Sequence, residues 1–251
     1  MSELNQEPYV QKVKLRRERV TSSEEYPFSL PTVRHLHTLA LHPSVTFLVG
    51  ENSSGKSTLL EAIAVAWGFN PEGGTKNFRF QTRESHSVLH KYITLVKGIT
   101  RPKDGFFLRA ESLFNVATEI ERLDSEPASA PPIIDSYGGR SLHEQSHGES
   151  FFSLMVNRFS GNGFYILDEP EAALSPSRQL ALIVRLHDLV QAHSQFIIAT
   201  HSPILMTYPN AWIYQIGTQG LERVEYQQTE HFTVAKRFLS DPQRQIDLLL
   251  R

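Results

Sequence analysis

The 251-residue chain contains no cysteine. That excludes disulfides, thiolate metal sites and a cysteine nucleophile. It also lacks an excess of either charge: 25 Lys and Arg stand against 27 Asp and Glu, a formal net charge of −2. No general electrostatic drive toward nucleic acid or an anionic membrane follows, so any such contact needs a local patch. No stretch approaches the roughly 18 uninterrupted apolar residues of a membrane span, and membrane insertion is not expected. The opening MSELNQEPYV lacks the basic-then-apolar layout of a signal peptide, so a cytoplasmic protein is the default expectation. What is present is a 40% hydrophobic share, enough to bury a sizeable core. The length suits one large α/β domain or two small ones.

Residues 10–20 alternate Val13 and Leu15 with Lys12, Lys14 and Arg16, which predicts a half-exposed strand, its edge protected by charge. Residues 32–41 read as a second strand with His35 and His37 on one face, a spacing that could bind metal but without an evident third ligand. Residues 44–49 predict a buried strand and residues 57–67 a helix, closed by Gly68, Pro71 and the Gly73-Gly74 pair. The less regular middle offers helices at 87–96 and 112–123, an Asp104-Gly105 turn and an apolar segment at 106–108. Residues 125–132, SEPASAPP, read as a surface loop or hinge. Beyond them a helix is expected at 151–159 and another at 177–190, with buried strands at 163–167, 195–199 and 211–216. Strands alternating with helices imply a mainly parallel sheet covered on both faces. One domain over 1–251 is expected, with a helical insertion at about 76–150.

Gly50-Glu51-Asn52-Ser53-Ser54-Gly55-Lys56-Ser57 fits G-x-x-x-x-G-K-[ST], between an apolar β-rich run and a helical pattern. Its glycines let backbone N–H groups converge on a polyphosphate, and the following helix N-terminus adds a favourable dipole. Lys56 should reach the β- and γ-phosphates, and the Ser57 hydroxyl should ligate Mg²⁺. Phe164-Tyr165-Ile166-Leu167-Asp168-Glu169 is an apolar strand ending in two acids. Because strand neighbours point to opposite sides, Asp168 is expected to face the metal and Glu169 the attacking water. Adjacent buried carboxylates without a cation are costly, so the pair argues for a metal. His201 follows another buried strand, and Ser146 and Gly148 precede a helix, again an anion-binding arrangement.

With four motifs in this order, the sequence resembles the ABC-type P-loop ATPases over nearly the whole chain. GENSSGKST looks like Walker A, QSHGES like the signature, ILDEP like Walker B and ATHSP like the switch-histidine segment. The closest flavour is the soluble RecF-, SMC- and OLD-like branch, particularly small bacterial AAA_21-like ATPases, matched by Asp168-Glu169-Pro170-Glu171 and Leu174-Ser175-Pro176. The resemblance implies the ABC-ATPase form of the P-loop fold, with N-terminal antiparallel strands beside a mainly parallel sheet. It implies ATP and Mg²⁺, bound by Gly50, Asn52, Ser53, Ser54, Gly55, Lys56, Ser57 and Thr58, with Ser57 and Asp168 on the metal. Glu169 is implied as general base, His201 as the γ-phosphate switch and Gln81 as the Q-loop residue shared by nucleotide and metal. Ser146 and Gly148 are implied to close over ATP held by Lys56 of a second subunit. Ser53 stands where glycine is common, tolerable if that position keeps φ < 0; His147 stands where glycine is usual, and Ser175 where transporters carry aspartate.

The expected function is Mg²⁺-dependent ATP hydrolysis coupled to an ATP-dependent homodimer, serving DNA repair or defence with a protein partner such as a nuclease. An ATP-gated scaffold with negligible turnover and a transporter's nucleotide-binding subunit are the alternatives.

Overall fold

A computed structural model describes residues 7–76, 87–126 and 131–250. Its centre is a six-stranded sheet in the order β5-β6-β7-β3-β8-β9, formed by β3 (Val45–Val49), β5 (Asp104–Arg109), β6 (Gly163–Asp168), β7 (Gln195–Ala199), β8 (Trp212–Gly217) and β9 (Gly220–Val224). All pairings are parallel except β8 with β9. β3, β6 and β7 are buried at every position, as expected of strands covered on both faces.

Side-chain alternation divides the core. Phe164 and Ile166 of β6, with Phe107 and Ile197, pack on the face carrying α2 (Lys56–Trp67), through Leu59, Leu60 and Ile63. Tyr165 and Leu167 pack on the other face with Phe106 and Ile198. There they meet α3 (Leu113–Asp124), α4 (His147–Asn157) and α5 (Pro176–Gln191), through Ile120, Phe151, Leu154, Leu182 and Leu186. Each such buried side chain contributes about 1.5–3 kcal/mol of transfer free energy.

A smaller antiparallel sheet, order β2-β1-β4, closes the α2 face. It comprises β1 (Val10–Leu15), β2 (Thr38–Ala40) and β4 (Ile93–Lys97). β1 is therefore its central strand, not the edge its lysines suggested. A register shift between Val10 and Lys12 lets Val10 and Val13 both turn inward. Past Leu15 the chain leaves the strand for a 3-10 turn at Arg17–Arg19.

Three local expectations change. The strand expected at 32–41 is split into a one-turn helix, α1 (Pro31–Arg34), and β2. Pro31 at the first helical position has the φ a helix needs, so His35 and His37 do not share a strand face. The helix expected at 87–96 is a 3-10 turn followed by β4, whose Ile93-Thr94-Leu95-Val96 favours a pleated surface. Asp104-Gly105 opens β5 and is no turn: the Asp104 carboxylate accepts hydrogen bonds from Arg158 (2.8 Å) and the Tyr165 hydroxyl (2.7 Å), holding it against β6. The 76–150 region thus supplies one strand to each sheet besides α3, and is not helical throughout. Residues 125, 126, 131 and 132 of the expected loop are described; the rest of it lies outside the described residues.

The last elements are α6 (Glu230–Ser240) and α7 (Pro242–Leu249), capped by Thr229 and Asp241. The sequence reading missed them and β9.

Candidate nucleotide site

The loops after β3, β6 and β7, three adjacent strands, emerge at one end of the sheet and bring the P-loop, the acid pair and His201 together. This is the crevice where open α/β sheets bind ligands. Asn52, Ser53, Gly55, Lys56, Ser57, Thr58 and Glu169 line a cavity of about 490 Å³. Gly55 precedes α2 with φ 96° and no side chain caps the helix. Its first-turn N–H groups lack intrahelical acceptors and suit an anion. Ser53 has φ 64°, against the expectation of φ < 0. The loop bends into the left-handed region here, which costs a non-glycine residue about 1–2 kcal/mol and keeps the position small.

Lys56 is buried and donates from Nζ to the carbonyl oxygens of Gly50 (2.8 Å) and Glu51 (2.9 Å). Burial pushes its pKa down, opposed by Glu169, Asp168 and Glu171. The ammonium spans its own loop.

Ser57 Oγ donates to Asp168 Oδ1 at 3.0 Å, joining P-loop and β6 as a shared cation would require. Asp168 is 5% exposed, and burial pushes it up to about 6, opposed by Arg109 and the Ser57 hydrogen bond. Such an acid gains most from a divalent cation, so these residues fit Mg²⁺. Glu169 is not the next residue of a flat strand. At φ 51° the chain leaves β6 in a left-handed turn. This turn, not strand alternation, separates the two carboxylates. Glu169 Oε1 lies 3.6 Å from His201 Nε2. The backbone N–H of His201 donates to Glu171 Oε1 (2.5 Å), which fastens the switch segment beneath the acids. Burial lowers the His201 pKa, Lys56 adds to this and Glu169 opposes it.

Ser146 caps α4 in a reciprocal box: its Oγ accepts from the Glu149 N–H and the Glu149 carboxylate accepts from the Ser146 N–H (3.0 Å). This starts α4 four residues before the expected 151, with the signature forming its first turn. A Cβ on Gly148 would come within 2.6 Å of the Ala173 carbonyl oxygen and 2.8 Å of Arg178 Nη1. Gly148 therefore has a packing duty of its own, letting α4 abut the segment after Glu169. Neither Ser146 nor Gly148 lines the P-loop cavity; His147 lines an adjoining one of about 330 Å³ with Ser57, Asp168, Glu169 and Glu111. Gln81 lies outside the described residues.

Four functional candidates were not foreseen. Arg109, opposite Asp168 in the β5–β6 register, reaches Glu61 (3.1 Å), Asp168 (3.6 Å) and Glu111. Glu111 adds an acid to the cavity that Ser57 and Asp168 line. Tyr26, 64% exposed, stands at the mouth of the P-loop cavity. His231, on α6, lies against His201. The pairing of β5 with β6 discloses Arg109 and Glu111, the return of α6 to the sheet end discloses His231, and the packing of the segment before α1 beside the P-loop discloses Tyr26.

Residues 28–119 match the AAA_23 family model, "AAA domain", and residues 134–207 match AAA_21, "AAA domain, putative AbiEii toxin, Type IV TA system". A curated relative, ABC transporter G family member STR2 of Medicago truncatula, is 25% identical over 172 residues, 63% of this chain. That match spans 24% of the transporter's own length. An inward-facing conformation of a putative metal-chelate type ABC transporter superposes with a TM-score of 0.50 at 16% identity, over 92% of this chain and 88% of that one. The SMC head domain from Thermotoga maritima gives 0.47 at 17% identity, over 86% and 99%.

The fold is that of the P-loop ABC-type ATPases. The two matched models, each over less than half of the chain, liken it to AAA-domain proteins. Among the described residues no helix is long and apolar enough to cross a membrane.

Proposed function

We propose that this chain binds ATP with Mg²⁺, hydrolyses it and closes on a second copy of itself around the nucleotide. The carrying observation is the Ser57–Asp168 hydrogen bond with Glu169 and His201 3.6 Å apart on the same rim. In this reading Lys56 leaves its loop carbonyls for the β- and γ-phosphates, and the α2 N-terminus and loop amides hold the remaining charge. Tyr26 offers a ring face to the base. Ser57 and Asp168 would hold Mg²⁺, which would supply withdrawal of charge from the phosphates. Glu169, on its turn outside the buried strand, accepts a proton from the attacking water, and His201 donates from Nε2 to the terminal phosphate. The toxin–antitoxin wording of the matched family favours a cytoplasmic defence or repair role with a protein effector over transport, and Ser175 in place of a transporter's aspartate supports the same reading.

The test pairs two variants. Lys56→Ala should weaken ATP binding at least about tenfold by titration calorimetry, charge-assisted hydrogen bonds being worth about 1.5–3 kcal/mol. Glu169→Gln should keep binding and lower turnover by about 10²–10⁴-fold. Turnover at the wild-type rate in Glu169→Gln would remove the base assignment.

A further inference from the structure

His201 has a partner outside all four motifs. Its Nδ1 lies 3.3 Å from Nε2 of His231, the second residue of α6, with the rings 5.4 Å apart and tilted by 54°. α6 is seated so that this contact is held. The fully buried Thr229 caps the helix by accepting from the Phe232 N–H, and the Glu230 N–H donates to Gln215 Oε1 of β8. Just upstream, the Tyr226 hydroxyl donates to the carbonyl oxygen of Pro203, two residues past His201 (2.9 Å).

Two neutral imidazoles share one hydrogen bond, so only two arrangements exist. In the first, His201 donates from Nδ1 to His231. Its bare Nε2 lone pair then faces the Glu169 carboxylate, and the proton of His231 sits on Nδ1, a buried nitrogen without a hydrogen-bond partner. In the second, His231 donates from Nε2 to His201 Nδ1. Then His201 carries its proton on Nε2, pointing at the Glu169 carboxylate 3.6 Å away, and the bare nitrogen is His231 Nδ1. Each arrangement leaves one buried ring N–H without a hydrogen-bond partner, His231 Nδ1 in the first and His201 Nε2 in the second. In the second that N–H faces a carboxylate, an attraction, whereas in the first a lone pair faces it, a repulsion. The second arrangement is favoured on that ground. Glu169, Glu171, Lys56 and Glu230 are the charged groups facing the pair, and burial keeps both rings inclined to the neutral form.

We infer that His231 is a positioning residue that holds His201 as the Nε2–H tautomer, the hydrogen-bond donor a γ-phosphate oxygen requires. It acts through His201 and makes the seating of α6 a condition of hydrolysis. The inference rests on the ATPase reading for its kinetic consequence, but the tautomer itself does not.

The test has two readouts on the full chain. In ¹⁵N-correlated NMR of the imidazoles, wild-type His201 should show a protonated Nε2 and bare Nδ1. His231→Phe, which keeps a ring and removes the donor, should give a tautomer mixture. His231→Gln, which restores an amide N–H at similar reach, should return the wild-type pattern. Under saturating Mg-ATP, His231→Phe should lower kcat about three- to tenfold, the weight of one hydrogen bond, with KM unchanged, and His231→Gln should stay within about twofold of wild type. A wild-type His201 protonated on Nδ1, or His231→Phe and His231→Gln losing kcat equally, overturns the proposal. A wild type without turnover refutes the ATPase reading and leaves the tautomer to be decided by NMR.

Discussion

Asp168 is the residue whose environment conflicts most with its chemistry. Burial lifts it to about 6 from an ordinary 3.8, so the native state holds the proton more tightly than the unfolded chain. A raised pKa stabilises fully below the unfolded value, and that contribution is lost as pH rises through 6. At pH 8 without metal, the ionised carboxylate costs about 2–3 kcal/mol. Asp168→Asn removes that cost. In EDTA it should melt higher than wild type at pH 8, and the advantage should vanish toward pH 4. A variant that melts lower at pH 8 would show that Arg109 more than repays the burial. The same logic explains why the acid pair was legible: a carboxylate at the buried end of an all-apolar strand asks for a cation, and Ser57 stands 3.0 Å away to share one.

At the scale of elements, α4 shows what the structure gives Ser146. The sequence suggests an anion-binding hydroxyl there, and the structure makes it a helix cap. Losing a capping box costs about 1 kcal/mol. Ser146→Ala should therefore lower the melting temperature by about 2–4 °C, with ATP binding to the monomer unchanged. An unaltered melting curve would mean that Glu149 holds the helix start without it. β4 and β5 show the limit of periodicity. Each is five or six residues in a stretch of mixed polarity, and their pairing partners, β1 and β6, lie tens of residues away along the chain. So short a run gives too few turns of either period to separate strand from helix by pattern alone, and the region read as helical. α6 escaped notice because its value lies in where it docks, beside His201.

For the whole molecule the central question is whether the site is complete in one copy. The P-loop cavity takes its walls from the P-loop, Glu169 and the Tyr26–Leu30 stretch, with nothing from α4. In the proposed two-fold arrangement, each copy gives a P-loop and receives a signature, and Ser146 and Gly148 would reach the terminal phosphate of the other copy. Glu169→Gln with Mg-ATP should then accumulate a dimer in analytical ultracentrifugation, and ADP should not. Adding Ser146→Arg should dissolve the dimer by placing a bulky cation at the seam. A Glu169→Gln protein that stays monomeric at tens of micromolar, or dimerises regardless of nucleotide, would sink the sandwich.

The P-loop, the acid pair, His201 and the buried parallel strands were readable in the sequence because each is a contiguous signal. Glycine, lysine and hydroxyl at set spacing, or an apolar run ending in acids, carries its own physical explanation. Only the tertiary structure decided the left-handed turns at Ser53 and Glu169, the central place of β1, and the convergence of Arg109, Glu111 and His231 on the site. Those depend on which strand pairs with which and where a late helix docks, and such contacts join residues tens to more than a hundred positions apart. No local pattern encodes them; they follow from burying both faces of one sheet at once.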